Sequence, residues 1–250
     1  MSVEAAAGSA SARDASTGLV ARLLAEKTAA LARLAAGIAH ELRNPLAVIL
    51  ARVQLLEIAL KSGKPLPPGK LETTLRTVEE QAVRASRIIE SLSVFARPRS
   101  PALGPVDLTE VIGHVLAELH ERMPDDSAIT TAIDVAYEAR TIVADRAQLT
   151  TALTQLVSNA LQAMPTGGQL RIRVVRGDGV VEISVADSGG GVANHDAPRI
   201  FDPFFSTKPA GAGLGLCVTQ TIAEAHGGNV RLVRSGGPGA EFVLSLPARG

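Results

Sequence analysis

Two helical apolar repeats, separated by a run of turn-forming residues, constrain this chain more than any other feature. From about Leu19 to Leu60 the seam candidates Leu24, Leu31, Ala35, Ile38, Leu42, Ile49, Val53, Leu56 and Leu60 recur at three-and-four spacing, which draws one apolar stripe along a helix. The run Lys61-Ser62-Gly63-Lys64-Pro65-Leu66-Pro67-Pro68-Gly69 cannot stay helical. Over residues 70–96 the spacing resumes at Leu71, Leu75, Val78, Ala82, Ala85, Ile89 and Leu92, so the pattern predicts two antiparallel helices. One such hairpin leaves its stripe half exposed; two packed together make a four-helix bundle, and a homodimer is therefore expected. Pro45 interrupts the first repeat: it lacks the N–H that would bond the carbonyl of Glu41, which predicts a bend there.

His40 lies inside the first repeat but not on its stripe. Two residues from either Ile38 or Leu42 is about 200° around a helix, so the imidazole is expected to point outward. It sits in Ala39-His40-Glu41-Leu42-Arg43-Asn44-Pro45-Leu46, with a carboxylate beside it and an amide four residues on. Such a group can accept a phosphoryl moiety while the carboxylate takes the ring proton and the amide orients the donor. A surface histidine on a bundle helix is the plain alternative.

Composition narrows the rest. The chain has 250 residues, 46% hydrophobic and 20% charged, with a formal net charge of zero, which suits a globular protein of two modest domains. Its basic residues are scattered, so no nucleic-acid partner is expected. Cys217 is the single cysteine, which excludes an internal disulfide and fits a cytoplasmic location. No apolar run approaches the roughly 20 residues of a membrane span. Residues 1–18, rich in Ala, Ser and Gly, are expected to be a disordered leader rather than a signal peptide.

Pro98, Pro101, Gly104 and Pro105 mark a linker, and the pattern then changes to mixed helix and strand. Helices are predicted near 107–122, 146–163 and 214–226. Strands are predicted near 128–134, 140–144, 169–176, 180–187, 229–234 and 240–246. The resulting organisation is a leader at 1–18, a helical hairpin at 19–97, a linker at 98–105 and an α+β sandwich at 106–250. Residues 188–215 read as a long loop.

Several positions in this second part carry chemical potential. Asp187-Ser188-Gly189-Gly190-Gly191 ends a predicted strand, where a carboxylate can accept from an amino group and glycines admit a flat ligand; a strand-ending turn is the plain reading. Gly211-Ala212-Gly213-Leu214-Gly215-Leu216 precedes a helix, so free N–H groups there suit phosphates. Asn159, in Gln155-Leu156-Val157-Ser158-Asn159-Ala160-Leu161-Gln162-Ala163-Met164, could offer its amide oxygen to Mg²⁺, or serve only as a surface or capping residue. Phe201-Asp202-Pro203-Phe204-Phe205-Ser206-Thr207-Lys208 holds three of the five phenylalanines, which suggests a docking loop or a satellite core. Lys208, alone among lysines after Lys70, can reach a terminal phosphate or stay solvated.

In this order and at these separations the segments resemble the histidine protein kinases of two-component signalling across residues 20–248. Ala39–Leu46 is similar to the H box, Gln155–Met164 to the N box, Asp187–Gly191 to the first glycine box, Phe201–Lys208 to the F box and Gly211–Leu216 to the second glycine box. The resemblance implies a dimeric phosphotransfer bundle followed by an ATP-binding domain of the gyrase, chaperone, kinase and mismatch-repair superfamily. It implies that His40 is phosphorylated by ATP and passes the group to an aspartate on a response regulator receiver domain, with phosphatase activity toward that regulator as a further expectation. Glu41 would be the base and Asn44 the positioner. Asn159 would hold Mg²⁺, Asp187 would accept from adenine, and Gln155, Gly189, Gly191, Lys208, Gly211, Gly213, Leu214 and Gly215 would complete the nucleotide site. Many relatives carry asparagine where this chain has Gln155, and serine where it has Cys217, here expected to be a buried small residue rather than a nucleophile. With few residues ahead of the hairpin, either a soluble kinase governed by an upstream sensor protein or a catalytic fragment of a longer sensor is expected. A pseudokinase scaffold and an ATP-operated clamp are the rival functions.

Overall fold

A computed structural model describes residues 37–39, 41–63, 67, 69–96, 100–120, 128–208 and 213–248. Residues 1–18, His40 and Gly211, to which expectations were attached, lie outside the described residues, as does most of the 19–38 segment. The chain divides into two compact units, Met1–Ala85 and Ser86–Gly250, and the division falls inside a helix.

In the first unit residues 41–62 form helix α1, preceded by helical residues 37–39, and Lys70–Ala96 form α2, which runs on into the second unit. Glu41 on α1 and Arg84 on α2 approach to 3.9 Å, so α2 folds back along α1. Pro45 is buried within α1 without ending it. On α2, Thr74 is buried and Val78, Gln81 and Ala85 are half-buried. Leu71, Leu75 and Ile89 stay 50–53% exposed, on a stripe roughly 70° around the helix from the first. The predicted seam is thus two adjoining stripes, one covered within the chain and one open.

The second unit is built on a mixed five-stranded sheet. Its strands are β2 (Ile129–Val135), β4 (Gly168–Gly177), β5 (Val180–Asp187), β6 (Asn229–Arg234) and β7 (Glu241–Pro247), in spatial order β2-β4-β5-β7-β6. Only β2 and β4 pair in parallel. A separate antiparallel ribbon joins β1 (Gly104–Asp107) to β3 (Thr141–Ala144). The strand β1 differs from expectation, since Gly104-Pro105 reads as linker; its pairing partner lies 40 residues away, opposite Ala144 and Val143. Helices α3 (Leu108–His120), α4 (Arg146–Gln162) and α5 (Gly215–Ala225) complete the sandwich.

Strict alternation defines the core. On β5, Val181, Ile183, Val185 and Asp187 are buried, and the last three face core residues of β4: Ile183 opposes Val174, Val185 opposes Ile172 and Asp187 opposes Leu170. Helix α4 adds Leu149, Ala152, Leu153, Leu156, Val157 and Ala160, the three-and-four stripe that the sequence shows. Leu149, Leu153 and Leu156 are at most 1% exposed; fully burying each is worth about 2 kcal/mol.

Asp145 caps α4: its Oδ1 accepts from the amide of Gln148 at 3.0 Å. Its own backbone N–H donates to Nε2 of the buried His226, at 3.0 Å, while Nδ1 of that ring meets the carbonyl of Ile222 at 2.8 Å. An amide can only donate and a carbonyl only accept, so His226 is the neutral tautomer carrying its proton on Nδ1. Burial pushes the Asp145 carboxyl up, but hydrogen bonds from the amides of Gln148, Ala102 and Ala147 outweigh it and hold the group below its ordinary value. The stability this adds is present above the ordinary carboxylate range and fades as pH falls through the depressed native value. Replacement D145A is expected to lower unfolding free energy by about 1–2 kcal/mol at pH 7. The deficit should shrink below pH 4 in urea titrations of the two proteins.

Candidate functional site

The period of β5 places Asp187 on the same face as the core row, at its end. A carboxylate that is 5% exposed requires donors, and two backbone amides supply them: Gly189 at 2.8 Å and Ala240 at 3.3 Å, both to Oδ1. The turn that follows is tight because Gly189 packs on the carbonyl of Ala163, at the end of α4, leaving no room for a Cβ. Gly191 likewise abuts the carbonyl of Gly237 in the β6–β7 turn. Arg234 fastens this turn from β6, donating from Nη2 to the Asp187 carbonyl at 3.0 Å.

Along α4, Gln155, Asn159 and Gln162 stand beside the apolar stripe at i, i+4 and i+7, so all three amides share one side. Lys208 comes to them from the loop: its Nζ donates to the Asn159 carbonyl at 3.1 Å and to Gln162 Oε1 at 3.3 Å, with Asn159 Oδ1 at 3.5 Å. Burial lowers the Lys208 pKa, and the charge of Asp187 works against that. Gly213 and Phe204 both adopt left-handed backbone, φ 65° and 63°, and the Phe204 amide donates to the Gly213 carbonyl at 2.9 Å. That contact pins the 201–208 loop to the start of α5, and a side chain at 213 would strike the Phe204 backbone. Arg199 lies 4.7 Å above the Phe205 ring, so part of the aromatic cluster is engaged within the loop.

Gly215 opens α5 directly against the Gln155 side chain: a Cβ there would lie 2.6 Å from Oε1. Leu214, 2% exposed, belongs to the core. Cys217 is buried, its thiol donating to the Leu214 carbonyl at 3.0 Å, and burial pushes its pKa up to about 11. That is a packing residue and not a nucleophile.

The structure therefore brings together Gln155, Asn159, Asp187, Gly189, Lys208, Gly213 and Gly215, with Gly191 just behind. The amino-acid pattern does not single out Gln162, Arg234 or the Ala240 amide. Gln162 was findable, being three residues from Asn159 on the same helical side; the other two act through backbone bonds across 47 and 53 residues. The donor set fits a hard cation. Asn159 and Gln162 present amide oxygens that already attract an ammonium group, and among the described residues no cluster of His, Cys, Asp or Glu is arranged to hold a metal alone. An ion at this place would be completed by water and substrate oxygens, as magnesium sites usually are.

In the first unit Glu41 and Asn44 lie three residues apart on α1, hence on one side. Glu41 Oε2 is buried and takes no hydrogen bond among the described residues, with Arg84 at 3.9 Å; Asn44 is exposed. Among the described residues no helix is long and apolar enough to cross a membrane.

Residues 144–250 match the family described as histidine kinase-, DNA gyrase B-, and HSP90-like ATPase. This class is defined by an ATP-binding sandwich, and the sheet with its α4 and α5 cover is that sandwich. Residues 30–101 match the His Kinase A (phospho-acceptor) domain. Over 226 residues the chain is 35% identical to the sensor histidine kinase ZraS of Escherichia coli O157:H7, covering 89% of this chain and 47% of that protein. The crystal structure of full-length ShkA in complex with AMPPNP is similar at 31% identity and TM-score 0.63, over 86% of this chain and 45% of that one. The histidine kinase ThkA, in its complex with the response regulator TrrA, shares the fold at TM-score 0.70 and 24% identity, over 90% and 64% of the two chains. With both modules in this order, the chain belongs to the histidine kinases. It spans about half the length of the curated relatives it matches.

The glycine contacts separate two kinds of constraint. G189A forces a methyl onto the immovable Ala163 carbonyl and is expected to cost about 1–3 kcal/mol. G215A meets only the movable end of Gln155, so it should cost under about 1 kcal/mol and be relieved by Q155A. Chemical denaturation of the three variants measures both.

Proposed function

We propose that this protein is an ATP-dependent autokinase that phosphorylates His40 and passes the phosphoryl group to an aspartate of a response regulator receiver domain. The observation that carries the reading is the convergence of a buried carboxylate, a side of amides with an ammonium group, and a glycine-lined helix start within a domain of the ATPase family. Asp187 is suited to accept the adenine amino group beside Gly189 and Gly191. Asn159 is suited to hold Mg²⁺, which when bound neutralises phosphate charge. Gln155 and Lys208, with Gly213 and Gly215, are suited to surround the phosphates. Transfer then needs mainly position and charge balance. A His40 ring nitrogen attacks the γ-phosphorus, the bond to the β,γ-bridging oxygen breaks, ADP leaves, and Glu41 receives the proton of the other ring nitrogen.

The domain reading places a hairpin at 19–97, a linker at 98–105 and the ATP-binding domain at 106–250. The open stripe of Leu71, Leu75 and Ile89 supports a homodimer, which buries it in a four-helix bundle. A cytoplasmic location follows from the need for ATP, and an upstream sensor protein or domain is the expected source of the signal.

Incubation with Mg·ATP is expected to yield an acid-labile, base-stable phosphate, absent in H40Q and at least ten-fold reduced in N159A. Phosphate that survives acid, or that persists in H40Q, sinks this reading. Asn44, exposed and four residues after His40 in the chain, is suited to orient a water in the reverse reaction. N44A should slow regulator dephosphorylation several-fold while leaving phosphohistidine formation measurable, and an unaltered rate would remove Asn44 from that step.

A further inference from the structure

Asp145 carries more bonds than a helix cap needs. Capping α4 takes one acceptor, which Ser, Thr or Asn supplies as well as Asp. Here Oδ1 serves the Gln148 amide, and Oδ2 accepts from the backbone N–H of Ala102 at 2.9 Å, 43 residues earlier in the chain. The Asp145 amide meanwhile binds His226 at the end of α5, and its carbonyl accepts from Leu149. One residue thus ties the segment that follows α2 to both helices that flank the amide cluster.

Ala102 and Leu103 are exposed, and the next paired residue is Gly104, opposite Ala144. Pro101 beside them is half-buried, and among the described residues the bond to Asp145 is the hydrogen bond that holds this segment ahead of β1. Breaking the bond would shift the anchor from residue 102 to 104, adding two residues and about 7 Å of reach. For two groups that must meet across such a linker, looser attachment lowers effective concentration.

From these contacts we infer that Asp145 is a positioning residue for phosphoryl transfer: by holding Ala102 against the base of α4, it fixes where the ATP-binding domain hangs from the chain leading to His40. The inference rests on the autokinase reading. It assigns Asp145 no contact with nucleotide, which lies at the other end of α4.

Two variants cut the same bond from opposite sides. D145N keeps a capping oxygen but can satisfy only one of the two amides, and A102P removes the Ala102 donor without touching Asp145. Each full-length protein is assayed for His40 phosphorylation across ATP concentrations, with ADP affinity measured by calorimetry. Both variants are expected to lower the maximal rate three-fold or more while the ATP KM and the ADP Kd stay within two-fold of the parent. Unchanged rates overturn the inference. So does a parallel loss of rate and affinity, which marks a structural role, or a fall confined to one variant, which assigns the effect to the cap or to the proline. A parent protein that forms no phosphohistidine overturns the autokinase reading, and the inference falls with it.

Discussion

A carboxylate set at the end of a hydrophobic row is the constraint around which the second unit is arranged. Asp187 continues the run of Val181, Ile183 and Val185, and a buried charge in such a place persists only with donors aimed at it. Among the described residues no side chain supplies them. The Gly189 and Ala240 amides do, which obliges the chain after β5 to turn at once and the β6–β7 connection to close over the same point. The glycine turn, its contact with the end of α4 and the anchoring by Arg234 all follow from accommodating that one group.

Helix α4 meets a second demand by dividing its surface. Its apolar stripe seals the sandwich, and the adjoining side presents Gln155, Asn159 and Gln162. The hairpin divides its surface in the same way, with Thr74 and Val78 turned inward and Leu71 and Leu75 left open. In each case two neighbouring stripes on one helix do two jobs, and a three-and-four repeat alone shows only their sum.

That distinction explains what could be read from the amino acids. Strands β4 and β5 and helices α4 and α5 were legible to within a residue or two, because period two and period 3.6 are local properties. The order β2-β4-β5-β7-β6 was not, since pairing between β5 and β7 depends on side chains some 60 residues apart. Strand β1 was hidden by Gly104-Pro105, which reads as linker and whose strand partner β3 lies some 40 residues on. Among site residues, Asn159, Asp187 and the glycines stood out by type and neighbourhood. Asp145 and Arg234 did not, because their roles lie in bonds to distant backbone groups that leave no pattern nearby.

The neutral tautomer of His226 has a mechanical consequence. With one ring nitrogen donating and the other accepting, the imidazole acts as an extra peptide unit that rivets the last turn of α5 to the first turn of α4. The two helices therefore resemble tongs joined at one end. Asn159 lies about 20 Å up one arm and Gly215 about 15 Å up the other, by helical rise. The rivet fixes one end of the pair, and by geometry a small rotation about it becomes an ångström displacement where Gln155 and Gly215 meet.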